Sequence, residues 1–132
     1  MYELRIERRF FASHALRLHD GSVEPTHAHD WAVEVRVRAA ELDPIGVVMD
    51  FHELERTVAA VLDDLREANL NEHPAFSRVN PTAERVAEHI HRKVASLLPT
   101  GVELSRVTVT EAPGCEAAYE RPGDLSRPAP GH

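Results

Sequence analysis

Glu24-Pro25-Thr26-His27-Ala28-His29-Asp30-Trp31 is the stretch on which the reading of this chain turns. In an extended strand, residues two apart face the same way, so His27 and His29 can aim both imidazoles at one point. Trp31, Val33, Val35 and Val37 continue that parity, alternating with Glu34, Arg36 and Arg38. The histidine face is therefore the one that becomes buried, and the pair looks inward.

Working outward, a second strand offers a third ligand. In Tyr2 to His14 the even positions Tyr2, Leu4, Ile6, Phe10 and Ala12 are mostly apolar, with Arg8 the exception, and His14 falls on the same parity. An inward histidine taken alone is more often a hydrogen-bonded core residue. All three on inward parities, in strands expected to pair, instead predict a metal centre. Three neutral imidazoles with one position left open suit catalytic zinc, because structural zinc closes all four positions and usually uses thiolates. The single cysteine, Cys115, speaks against a closed thiolate site.

At 132 residues the chain predicts one domain, 1–120, with a core large enough to need no disulfides, and a mobile Pro- and Gly-rich tail over 121–132. One cysteine suits a reducing compartment, and charges from Glu3 onward leave no signal peptide or membrane span, so a soluble cytoplasmic protein is expected. A net charge of −7 argues against a nucleic-acid partner.

The order of elements reads as two strands, two helices and two strands. The first strand is expected to run to about Leu16 and the second from His27 to about Ala40, with a bend at Asp43-Pro44-Ile45-Gly46. Asp50 with Glu53 forms a capping-box pattern, opening a helix whose apolar face is Phe51, Leu54, Val58, Val61, Leu62 and Leu65. Asn80-Pro81-Thr82 restarts a helix, with Pro81 placed in its first turn and Val86, Ile90, Val94 and Leu97 as its stripe. Strands at Val102 to Glu111 and Glu116 to Glu120 complete the set. Val107, Val109 and Glu111 share a parity, so a carboxylate ends an apolar row. His89 and His91 lie two apart on the second helix, so they should face different ways and be solvated.

The succession Phe10-x-x-x-His14, His27-x-His29, Met49-Asp50-Phe51-x-x-Leu54, Leu70-Asn71-Glu72-x-Pro74, Asn80-Pro81-Thr82-x-Glu84, and Glu111 with Tyr119 eight residues later resembles the 6-pyruvoyltetrahydropterin synthase and 6-carboxytetrahydropterin synthase family. The resemblance runs in register from about residue 2 to 120. It implies the tunnelling fold, an α+β ββααββ subunit in which a four-stranded antiparallel sheet carries two helices on one face. Three such sheets would close a barrel, two trimers would stack into a hexamer, and active sites would lie between subunits. It implies zinc on His14, His27 and His29, a pterin ring anchored by Glu111, and a pocket shaped in part by Thr82. The implied activity is that of a zinc-dependent carbon-oxygen lyase of tetrahydropterin biosynthesis, acting on the side chain of dihydroneopterin triphosphate.

Departures from the family pattern fall on the proton-transfer groups. Where most members carry a cysteine, four residues before the first paired histidine, this chain has Val23. One residue on, Glu24-Pro25-x-His27 resembles the branch in which a glutamate replaces that cysteine and the side chain is cleaved differently, giving 6-hydroxymethyldihydropterin. Glu24 is accordingly the candidate base. The family's Asp-His dyad is replaced by Arg66-Glu67, with Asp63 and His73 near in sequence, and Ala28 stands where the family has glycine. A pterin- and zinc-binding homologue with little synthase activity is the alternative.

Overall fold

The computed structural model describes residues 1–122, so all but the start of the tail expected over 121–132 lies outside the described residues. Alternating side chains build β1 (Tyr2–His14) and β2 (His27–Ala39), which pair antiparallel in unbroken register from Tyr2 opposite Ala39 to His14 opposite His27. Two helices follow, α1 (Phe51–Asp63) and α2 (Ala83–Ala95), and then β3 (Glu103–Ala112) and β4 (Cys115–Tyr119). The strands lie in the order β1-β2-β3-β4, all antiparallel. This is the four-stranded sheet with two helices that the residue pattern predicts.

One face of the sheet is the core. Trp31, Val33, Val35 and Val37 are fully buried, covered by Leu54, Val58, Val61 and Leu62 of α1 and by Val86, Ile90 and Val94 of α2. The opposite face is a lattice of charges, with Arg5 to Glu34 at 2.7 Å, Arg9 to Asp30 at 3.1 Å and Arg36 to Glu3 at 3.4 Å. Among the described residues no helix is long and apolar enough to cross a membrane.

Several boundaries differ from expectation for identifiable reasons. β1 stops at His14 instead of Leu16 because the next backbone groups turn to side chains. Ala15 donates its N–H to Asn71 Oδ1 and accepts from Asn71 Nδ2, at 2.8 and 2.7 Å, and Arg17 exchanges the same two bonds with Asn80, at 2.7 and 2.9 Å. Pro81 is not in the first turn of α2: Thr82 is the N-cap, its hydroxyl accepting from the Arg85 N–H at 3.1 Å. Asp50 caps α1 through the His52 N–H at 2.8 Å, one position before the bond that a capping box makes. Phe51 and Leu97, assigned to apolar faces, are 50% and 57% exposed; Leu97 lies beyond the end of α2. His91, expected in solvent, is only 3% exposed and packs edge-on against Tyr119, while His89 is half-buried beside His73 and Phe76. Both helical histidines thus belong to packing, because α2 lies against β3 and β4 on one side and a loop on the other.

A bulge ends β3. Thr110 pairs with Glu116 and Ala112 with Cys115, leaving Glu111 as the extra residue. Pro113 and Gly114 make the turn that follows, where Gly114 takes a φ of 79°, the left-handed conformation a two-residue Pro-Gly turn requires.

Candidate metal centre

His14 and His27 stand opposite each other in the β1–β2 register, with His29 one step along the same face. Their rings meet edge to face, with centroids 4.6 Å apart for His14 and His27, 5.2 Å for His14 and His29, and 4.7 Å for His27 and His29. Trp31 forms the floor, its ring 4.9 Å from that of His14 and its indole N–H bonded to the Ala12 carbonyl at 3.1 Å. The three imidazoles singled out by parity are therefore brought to one point, together with Glu111.

Backbone carbonyls fix which nitrogen two of the three rings present. His14 Nδ1 donates to the Pro81 carbonyl at 2.7 Å, a carbonyl that Thr82 leaves free by capping the helix one residue later. His27 Nδ1 donates to the Pro25 carbonyl at 3.1 Å. With those protons on Nδ1, a neutral ring turns its Nε2 lone pair inward, as metal-ligating histidines do when a second hydrogen bond orients them. The Nε2 atoms of His14 and His29 are buried and have no hydrogen-bond partner. Burial also pushes the His29 pKa down, outweighing the pull of the Glu111 carboxylate, so that ring favours its neutral, ligating form. Buried ring nitrogens without hydrogen-bond partners, converging on one small volume, are a donor set that fits a divalent zinc-type cation.

Glu24 is held beside this centre. Its Oε1 accepts the Leu16 N–H at 3.0 Å and lies 3.9 Å from His27 Nδ1, while its own N–H bonds to the Leu16 carbonyl at 3.0 Å. Val23, the position of the missing thiol, is 59% exposed.

The dyad position is different. Arg66 pairs with Asp63 at 3.3 Å on the surface, and Glu67 takes a φ of 59° with its backbone N–H bonded to the Phe11 carbonyl. Neither Asp63 nor His73 joins the three histidines. His73 instead closes a second cluster, donating from Nε2 to Asp64 at 2.7 Å and accepting the Ala75 N–H on Nδ1 at 3.0 Å, with His89 alongside. That hydrogen bond holds the Asp64 carboxyl below its usual range. Because Nδ1 is already an acceptor, a neutral His73 must keep its proton on Nε2, so this triad is a latch between α1 and the following loop and not a cation site. The sequence signal for the clamps Asn71 and Asn80 is a pair of asparagines in the inter-helix segment, and it becomes legible only with the chain beyond the end of β1, at Ala15 and Arg17, laid against them.

A family model described as 6-pyruvoyl tetrahydropterin synthase matches residues 3–122. The chain belongs to that family. Among relatives of the 6-pyruvoyl tetrahydropterin synthase family, a dihydroneopterin monophosphate aldolase from Pyrococcus furiosus is 34% identical over 102 residues, 77% of this chain and 82% of the relative. A probable 6-carboxy-5,6,7,8-tetrahydropterin synthase from Halobacterium salinarum is 30% identical over 125 residues, 83% of this chain and 80% of the relative. The structure of Caenorhabditis elegans 6-pyruvoyl tetrahydropterin synthase superposes with a TM-score of 0.76 at 27% identity, covering 92% of this chain and 97% of that one.

Proposed function

We propose that this chain is a zinc-dependent lyase that cleaves the side chain of a dihydroneopterin phosphate between its first two carbons. The observation that carries the reading is the company kept by the three histidines: an ordered carboxylate, Glu24, where the family's thiol position is Val23. His14, His27 and His29 would hold the metal, and Glu111 would anchor the pterin ring after leaving the position it occupies beside the imidazoles. Thr82, which caps α2 next to the buried Pro81, would border the ring pocket. Zinc bound there would act as a Lewis acid toward the side-chain hydroxyls.

The chain's own residues supply the rest. Glu24 uses one carboxylate oxygen on the Leu16 N–H and keeps the other free to take the proton from the hydroxyl on the second side-chain carbon. The bond between the first and second carbons then breaks, its electron pair passing into the C6–N5 imine of the ring. Reprotonation at the first carbon gives 6-hydroxymethyldihydropterin, and the other fragment leaves as an aldehyde bearing the phosphate. The Pyrococcus furiosus relative, named as an aldolase on dihydroneopterin monophosphate, supports carbon-carbon cleavage over the carbon-oxygen elimination expected from the commoner family members. A second reading, elimination of triphosphate as in the tetrahydropterin synthases, is favoured by the Halobacterium salinarum relative.

The sites would be completed between copies. β1 forms one edge of the sheet, bonded only near its end, where the Phe11 carbonyl accepts from the Glu67 N–H and the Ser13 N–H donates to the Ala68 carbonyl, and β4 forms the other; joining the two edges in a ring of three, doubled to a hexamer, would leave neither exposed. An apolar hollow of about 700 Å³ lined by Tyr2, Leu4, Leu42, Ile45 and Phe51, with Ile45 85% exposed, would be covered at the same time. A reducing, cytoplasmic setting remains part of the proposal.

The test is to incubate purified protein with dihydroneopterin monophosphate and triphosphate, with and without a chelator, and identify products by mass. Formation of 6-hydroxymethyldihydropterin that vanishes in chelator and in Glu24→Gln supports carbon-carbon cleavage. Release of inorganic phosphate or triphosphate with a 6-pyruvoyl- or 6-carboxytetrahydropterin product supports the synthase reading, and no product with retained pterin binding supports a binder.

A further inference from the structure

On the footing of the zinc and pterin reading above, we propose that Glu111 is itself the fourth metal ligand when no pterin is bound, and that the ring opens the centre by drawing this carboxylate away. Glu111 Oε1 stands 2.7 Å from His14 Nε2, 3.1 Å from His29 Nε2 and 3.9 Å from His27 Nε2. Ligands about 2.0–2.1 Å from one four-coordinate ion lie roughly 3.3 Å from each other. The three distances bracket that separation, so the oxygen is disposed toward the nitrogens as a fourth ligand would be.

Lone-pair chemistry requires a positive charge there. His14 donates from Nδ1 to Pro81, so a neutral His14 would press a bare Nε2 lone pair against a carboxylate oxygen at 2.7 Å. A single proton relieves one such pair. His29 Nε2, equally buried and unpartnered, faces the same oxygen at 3.1 Å. One divalent cation satisfies all of them together.

The backbone makes Glu111 movable. It is the bulged residue of β3, outside the paired register, so its side chain can swing without breaking a ladder bond. Two clefts, of about 480 and 560 Å³, open on either side of it. A pterin ring carries adjacent N–H donors at N3 and the 2-amino group, the parallel pair that a carboxylate accepts best. Accepting them removes one negative charge from the metal and frees one position at the moment substrate arrives. Metal and pterin then compete for a single carboxylate, and the antagonism must be reciprocal.

Cobalt(II) titration tests this, read by visible absorption and by quenching of Trp31, the single tryptophan, whose ring lies 4.9 Å from that of His14. The probe is pterin without a C6 side chain, which binds but cannot react. Wild-type protein should bind cobalt, and adding pterin should change its absorption band and weaken cobalt affinity. Glu111→Gln should bind cobalt about tenfold or more weakly, in the range of altered ligation shells, with a band that pterin no longer moves. Glu111→Asp, which keeps the charge, should fall between and guards against a folding defect. Wild-type affinity and spectrum in Glu111→Gln would overturn Glu111 as a ligand while leaving the three-histidine centre standing. A wild-type protein that binds no cobalt, indistinguishable from His27→Ala, would remove the metal reading and this one with it.

Discussion

Asn71→Ala is the most informative perturbation of the scaffold, because one side chain replaces two rungs of a missing ladder. Its amide accepts from the Ala15 N–H at 2.8 Å and donates to the Ala15 carbonyl at 2.7 Å, and Ala15 is 3% exposed. Deleting the amide leaves both backbone groups without partners in a site that water reaches poorly. At about 1 kcal/mol net per hydrogen bond, plus part of the desolvation penalty for each orphaned group, the loss is about 2–4 kcal/mol. Asn80 makes the same pair of bonds to Arg17, which is only half-buried, so water can replace them and Asn80→Ala should cost about half as much. Urea unfolding at one fixed protein concentration measures both. The difference matters for the site too, since Ala15 follows His14 directly, and a loosened Ala15 should weaken metal binding. An Asn71→Ala loss below about 1 kcal/mol, or one no larger than that of Asn80→Ala, would refute the clamp as the reason β1 ends where it does.

Other consequences are equally open to measurement. His91 is buried and its pKa is pushed down, mainly by desolvation, so the folded state holds it neutral. A group depressed in this way withdraws stability as pH falls below its unfolded value of about 6.5; His91→Gln should flatten the fall in urea midpoint between about pH 7 and 5, which is lost if the slope is unchanged. Zinc at a hundredfold excess over its dissociation constant should stabilise the fold by about 2.7 kcal/mol, reversed by chelator and absent in His27→Ala, as thermal unfolding would report. Partial burial pushes the Glu34 pKa up, but the hydrogen bonds and charges of Arg36 and Arg5 together hold it below its usual range; because water screens these pairs on the open charged face, Glu34→Gln should cost about 1 kcal/mol or less, and a larger loss would mean that face is covered in solution.

Much of the centre was legible because strand parity is a local property: a side chain two residues from a buried valine is on its face, whatever else the chain does. Parity put His14, His27 and His29 on one face, and the register from Tyr2–Ala39 to His14–His27 brings them together, with His14 buried and His27, expected to be covered, left 42% exposed at the open rim because the sheet's helical cover stops short of it. What parity could not reach were interactions decided between distant segments. His91 looked solvent-facing on a helix taken alone and is buried because β4 lies across it, with Tyr119 against its ring. Pro81 looked like a first-turn residue, yet the cap falls on Thr82, and the freed carbonyl reaches sixty-seven residues back to orient His14.

Sequence alone determined the order of elements, the buried face of β2 and the identities of the imidazoles, since these follow from periodicity and residue chemistry within each segment. Only the tertiary structure decided where β1 ends, which nitrogen His14 and His27 present, and that Glu111 and Glu24 stand beside the three rings. Those depend on hydrogen bonds and one bulge that join segments far apart in the chain, and no local pattern encodes the partner of such a bond.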